Sequence, residues 1–238
     1  MTRYDRLTLV FDTAASSLGD ATLRLVAQGI DPLYASDEDE LVLLAREHKG
    51  RVASLVVPGD LPLQRIARVL KRVESALGGV RVASVVVAPP RRRALLAALR
   101  ARGVRWVVFA PYDASELRFA VAAALASGDA LEPRRGLRVP IRLPVFVRHA
   151  RETRPGEIAD LAVGGAFVAI AEPPGPGAAL SLEFPIGERM LRVQALVAHR
   201  REEARPLVGM GVAFTGLSSL DERLIEGFVR ERIDAFRL

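Results

Sequence analysis

The chain has 238 residues, of which 50% are hydrophobic and 26% charged, the balance of a folded protein with room for one large domain or two small ones. It has no cysteine, and its three histidines, His48, His149 and His199, lie far apart, which excludes disulfides and thiolate metal sites and leaves no metal-ligand spacing. The formal charge of +6 divides into +4 for residues 1–130 (18 basic, 14 acidic) and +2 for residues 131–238 (16 basic, 14 acidic), without the concentrated basic face of a nucleic-acid binder.

The opening stretch, "MTRYDRLTLVFD", carries acids where the apolar stretch of a secretion signal would run, and no run of 18 apolar residues follows anywhere. The expected compartment is therefore the cytoplasm, with no membrane span. "YDRLTLVFDT" alternates into a strand, and "LGDATLRLVAQGI" has helical spacing. The acidic run Ser36–Glu40 precedes "LVLLAREH", where carboxylates at a helix start satisfy free amides and the helix dipole. "RVASLVVPGD", "VRVASVVVAPP" and "VRWVVFAPYD" are further strands with turn residues at their ends. Between the first two, Leu63, Ile66, Leu70, Val73 and Leu77 form one helical stripe. Arg91–Arg93 open a helix and read as a solvated face, and Asp113 with Glu116 has the spacing of a capping box. Alternating strands and helices of these lengths predict a parallel sheet with helices on both faces, of the flavodoxin-like kind.

Ligands in such sheets bind at the carboxyl ends of the strands. No G-x-G-x-x-G or G-x-x-x-x-G-K-[ST] loop follows any strand, so no phosphate cradle is expected there. The order of elements, and "FAPYDASELRFAV" above all, resembles a response-regulator receiver domain. That resemblance implies an acidic pair after strand one, a phospho-accepting aspartate after strand three, a hydroxyl after strand four and a lysine before proline after strand five. Asp12 fits the first position, but Val57 and Pro58, Ala88 and Ala110 occupy the other three. A carboxylate nucleophile and a balancing lysine are missing, so residues 1–128 are expected to be a pseudo-receiver without a phosphoacceptor, used for packing or partner contact.

Residues 129–137 read as a linker, and from residue 138 to 238 the pattern changes. "RVPIRLPVFVRH", "GEIADLA", "GAFVAI", "ALSLEFPI", "MLRVQALVAH" and "PLVGMGVAF" are short alternating stretches broken by Pro/Gly turns, which predicts a small antiparallel barrel. "EPPGPG", residues 172–177, reads as a hairpin connection. Asp221–Phe236 returns to helical spacing and predicts a helix at the end of the barrel.

Arginine supplies all but two, Lys49 and Lys71, of the 34 basic residues, and R-x-x-x-R recurs at Arg68/Arg72, Arg138/Arg142 and Arg201/Arg205. The pair Arg134/Arg138 differs by its context, a linker before a barrel strand, followed by "DLAVGGAF" at 160–167. This combination resembles the PilZ family of bacterial receptors for the second messenger cyclic di-GMP, with motifs R-x-x-x-R and [DN]-x-S-x-x-G. Arg134, Arg138, Asp160 and Gly165 match, "GMGVAF" extends the likeness, and Ala162 stands where the family has serine.

The resemblance implies a cyclic di-GMP site formed by Arg134, Arg135, Arg138, Asp160, Ala162 and Gly165. A guanidinium can grip guanine O6 and N7 with two hydrogen bonds while neutralising phosphate. A carboxylate accepts from guanine N1–H and N2–H, and glycine allows close backbone approach. Residues 133–150 hold five arginines and no acid, a local field that favours an anion. The expectation is a non-enzymatic effector that binds cyclic di-GMP, needs no cofactor or metal, and acts through an unidentified protein partner, with a homodimer as one arrangement open to it. Motility, surface polysaccharide and biofilm control are the processes the family implies. The alternative is a PilZ-like adaptor that has lost the ligand, favoured by Ala162. No G-x-S-x-G elbow or histidine–carboxylate cluster supports an enzyme.

Overall fold

The computed structural model describes residues 6–13, 18, 20–89, 93–126, 137–201 and 208–238. The chain forms two compact units: Met1–Leu131 together with Phe236–Leu238, and Glu132–Ala235. The last three residues thus group with the first unit and not with the barrel that was expected to run from 138 to 238.

The first unit alternates β1 (Leu7–Phe11), α1 (Ala21–Ala27), β2 (Pro32–Ala35), α2 (Glu38–Glu47), β3 (Val52–Pro58), α3 (Leu63–Ala76), β4 (Ala83–Ala88), α4 (Arg93–Arg100), β5 (Trp106–Phe109) and α5 (Ala114–Ala126). All strand pairs are parallel, in the order β2-β1-β3-β4-β5, which is the doubly wound flavodoxin-like order. The strands are apolar on both faces because each is covered twice. Leu9, Phe11, Leu55, Val57, Val86 and Val107 join Leu41, Ile66, Val73 and Leu99 in one core cluster on the side of α2, α3 and α4. Their neighbours in sequence, Val10, Val56, Val85, Val87 and Val108, are equally buried and by the period of two face the other side, where α1 packs with α5.

Both predicted helix starts are built as expected. Asp37 accepts from the amides of Asp39 and Glu40. Asp113 accepts from the Glu116 amide at 3.0 Å while Glu116 Oε2 accepts from the Asp113 amide at 3.0 Å, the reciprocal box. Between α2 and α3, Glu38 accepts from Arg65, Arg68 and Arg72 at 3.0, 2.9 and 3.3 Å. The hydrogen bond from Arg68, followed by those from Arg65 and Arg72, outweighs desolvation and holds the Glu38 carboxyl below its ordinary range.

The second unit comprises β6 (Val139–His149), β7 (Glu152–Ala162), β8 (Gly165–Ala169), β9 (Ala179–Ile186), β10 (Arg189–Arg201), β11 (Gly209–Thr215) and α6 (Ser219–Asp234). The strands close into a barrel in the order β10-β11-β8-β7-β6-β9, with β9 pairing β10. Alternation sends Val145, Val147, Leu180, Leu182, Phe184, Leu191 and Val193 inward, and closure removes the unpaired sheet edges. Residues 172–177 are not a hairpin connection: they join β8 to β9, which are separated by β7 and β6 in the barrel, so the chain crosses between non-neighbouring strands there. Helix α6 starts at Ser218, whose hydroxyl accepts from the Asp221 amide at 3.1 Å. It buries Ile225, Val229 and Ile233, one apolar stripe against β6, β7 and β9.

Candidate functional site on the barrel wall

Arg138 directly precedes β6, and cross-strand register carries the row onward. Pro140 lies opposite Asp160 on β7, Asp160 opposite Phe167 on β8, Phe167 opposite Gly211 on β11, and Gly211 opposite His199 on β10. Directly opposed residues share a face of the sheet, so Asp160, Phe167 and His199 line up across four strands. The register breaks beside this row three times, between Pro140 and Leu143, between Ile158 and Asp160, and between Val197 and His199. Such irregularities re-aim side chains and gather beside binding sites.

Asp160 is the hinge of the row. Its Oδ1 accepts from Arg138 Nη1 at 3.0 Å and from the Phe167 amide at 3.1 Å. The pair is only half-buried, with the Arg138 side chain 37% and the Asp160 side chain 32% exposed, so both groups remain reachable from solvent. Arg201 places its guanidinium 4.7 Å from the Phe167 ring centroid, and the His199 ring lies 6.4 Å from the same ring at 32°. Glycines on β11 make this packing possible. A Cβ at Gly211 would be driven into the His199 imidazole, and one at Gly209 into the Val168 carbonyl oxygen and to 3.0 Å from the Phe167 ring.

Of the six expected ligand residues, the structure brings Arg138 and Asp160 into contact. Gly165 ends the β7–β8 turn opposite Ala162. The close approach that requires glycine there is to β11, since a Cβ would run into the Val212 carbonyl oxygen. Ala162 is buried, 3% exposed. Arg134 and Arg135 lie outside the described residues, as does most of the 129–137 linker. Phe167, His199 and Arg201 were not singled out from sequence. The signal was the doublet of alternate glycines in "GMGVAF", which leaves room on β11 for large neighbours, but which neighbours they are depends on strand order.

In the first unit, Asp12 follows β1, Pro58 ends β3, Ala88 ends β4, and Ala110–Pro111, a cis peptide, follows β5. The β3 and β4 ends press together: the Gly59 amide donates to the Val87 carbonyl at 2.6 Å, and a Cβ at Gly59 would lie 2.9 Å from Ala88. Arg24 donates to the Tyr112 carbonyl and sits 4.8 Å from its ring, while the Tyr112 hydroxyl donates to Leu18 O at 2.5 Å. Burial raises the Tyr112 pKa above its ordinary value. Among the described residues no group of three His, Asp or Glu side chains is placed to hold a metal ion, and no helix is long and apolar enough to cross a membrane.

A closed antiparallel barrel with a terminal helix, joined to a five-stranded receiver-like sheet, defines the class of protein. Residues 132–231 match the PilZ domain family, so the barrel unit is a PilZ domain. Solved structures with a similar fold include the inhibitor of motility MotI/DgrA of Bacillus subtilis, at 19% identity and TM-score 0.36 over 41% of this chain and 49% of that one. MrkH of K. pneumonia is 18% identical with TM-score 0.38, covering 46% of this chain and 52% of that one. A response regulator from Thermotoga maritima is 15% identical with TM-score 0.43, covering 51% and 98%. The chain thus spans about half the length of MotI and MrkH. No curated protein matches the chain.

Proposed function

We propose that this chain is a non-enzymatic cyclic di-GMP effector of the cytoplasm, whose ligand is held by Arg134, Arg135 and Arg138 together with Asp160 and the backbone near Ala162 and Gly165. The observation that carries the reading is the half-exposed Arg138–Asp160 pair at 3.0 Å, set at a run of register breaks on a PilZ barrel. It supplies a guanidinium with donors to spare and a carboxylate with a second oxygen, complementary to the two hydrogen-bonding edges of guanine. Arg201, held over the buried Phe167 ring, continues that surface with a guanidinium suited to a phosphate or to the face of a base. The output is protein contact in motility, polysaccharide or biofilm control.

The second reading, a PilZ adaptor without ligand, is favoured by Ala162, which offers no hydroxyl. Calorimetric titration with cyclic di-GMP, with GTP as control, separates them. Saturable binding that tightens up to about tenfold in Ala162→Ser, the worth of one hydrogen bond, supports the effector. Absence of heat from both forms at high ligand concentration supports the adaptor.

A further inference from the structure

The last three residues, part of the first unit, meet its sheet through an isolated β-bridge. β5 is the final strand in the sheet order, and Arg237 forms an antiparallel bridge with Trp106 on it. The Val107 amide donates to the Phe236 carbonyl at 2.9 Å, and the Leu238 amide donates to the Arg105 carbonyl at 2.9 Å. Side chains complete the seat. The Phe236 ring is 5.0 Å from Phe119, which meets Trp106 edge-on at 6.2 Å. Arg237 holds its guanidinium 5.9 Å from the Trp106 ring centroid, and Leu238 packs against the core cluster that contains Leu99 and Val104.

An end strand offers a row of backbone donors and acceptors that another strand can complete. Here the contact has the two parts of recognition by strand addition, main-chain hydrogen bonds and side-chain seats in fixed order. Its backbone part comprises the bridge and the two hydrogen bonds that flank it. We propose that the edge of β5 is a strand-addition site for an extended segment of a partner protein carrying an aromatic, a basic and an aliphatic residue in succession. Phe236-Arg237-Leu238 is its resident occupant and keeps it closed until such a segment displaces it. The pattern is set by the three seats: Phe119 for the aromatic ring, the Trp106 face for the cation, and the core cluster for the aliphatic side chain.

Trp106 is the only tryptophan and lies in the site, so its emission reports occupancy. The full chain carrying Phe236→Ser and Leu238→Asp is titrated with a synthetic peptide of residues 232–238. The expected result is saturable binding that returns the tryptophan emission to that of the unsubstituted chain, at least tenfold tighter than binding to the unsubstituted chain. A peptide with the same two substitutions should not compete. A variant with unchanged circular dichroism that shows no peptide binding overturns the proposal. So does one that turns into a dimer by light scattering and excludes the peptide, since β5 would then pair with a second copy. Phe236→Ala alone provides the milder form if the double variant does not fold: it should bind the peptide with intermediate affinity, and a folded Phe236→Ala chain that ignores the peptide overturns the proposal equally.

Discussion

Asp160 serves two partners with one oxygen, and the two can be separated by substitution. Asp160→Asn keeps a carbonyl oxygen for the Phe167 amide but loses the charge that holds Arg138, so the barrel should melt within a few degrees of the parent while cyclic di-GMP binding weakens at least tenfold. Gly165 behaves differently. A methyl group there meets the Val212 carbonyl oxygen, and overpacking of this kind costs about 1–3 kcal/mol. Gly165→Ala should therefore lower the melting temperature by several degrees, measured without ligand. A Gly165→Ala chain of unchanged stability but lost binding would make the glycine a ligand contact and not a packing requirement. Arg201 sits over Phe167 at the rim of the barrel wall, so Arg201→Ala should weaken ligand binding by about twofold to fivefold, the worth of an exposed cation–π contact of about 0.5–1 kcal/mol, and change the melting temperature by no more than a few degrees.

At the scale of elements, local chemistry made some features legible and strand order hid others. The capping box at Asp113 and Glu116 and the cap at Asp37 could be read directly, because a helix start is satisfied within three residues. The stripe from Leu63 to Leu77 became α3 for the same reason: its period is local. β2, Pro32–Ala35, was not expected. Its four residues are too few to show alternation, and it exists because β1 pairs with it. The row from Arg138 to His199 was legible at its first half, where two motifs stand 22 residues apart, and invisible at its second, where only β11 between β8 and β10 brings His199 and Phe167 together. Phe236 was assigned to the last helix by its spacing, yet the helix ends at Asp234 and Phe236 turns to the β5 edge.

The α2–α3 contact carries a pH dependence of its own. The folded-state pKa of Glu38 is depressed by Arg68, Arg65 and Arg72. Its contribution to stability is then fully present above the ordinary carboxylate range and is lost as the pH falls through the lowered folded value. Glu38→Gln should be less stable than the parent at pH 7, and the difference in melting temperature should vanish in acid. A difference that persists unchanged below pH 3 would assign the loss to packing and not to charge.

At the scale of the molecule, the net charge is a modest +6, and residues 133–150 hold five arginines and no acid, a local excess along the sequence that favours an anion. A ligand that binds only the folded chain stabilises it by mass action, about 2.7 kcal/mol at a hundredfold excess over Kd, which gives an independent readout of binding in a melting curve. Arg138 is where site and fold can be told apart. Its ion pair with Asp160 is half-exposed, and such pairs contribute about 0–1 kcal/mol to stability, whereas a two-pronged guanidinium contact to guanine is worth about 1–3 kcal/mol.

The most direct measurement is calorimetric titration of the full chain and its Arg138→Ala variant with cyclic di-GMP, alongside melting curves of both without ligand. The expected result is saturable binding by the parent, a loss of tenfold or more in the variant, and melting temperatures within a few degrees of each other. Equal affinities in the two chains, or a variant that loses binding only because it has lost its fold, would contradict it.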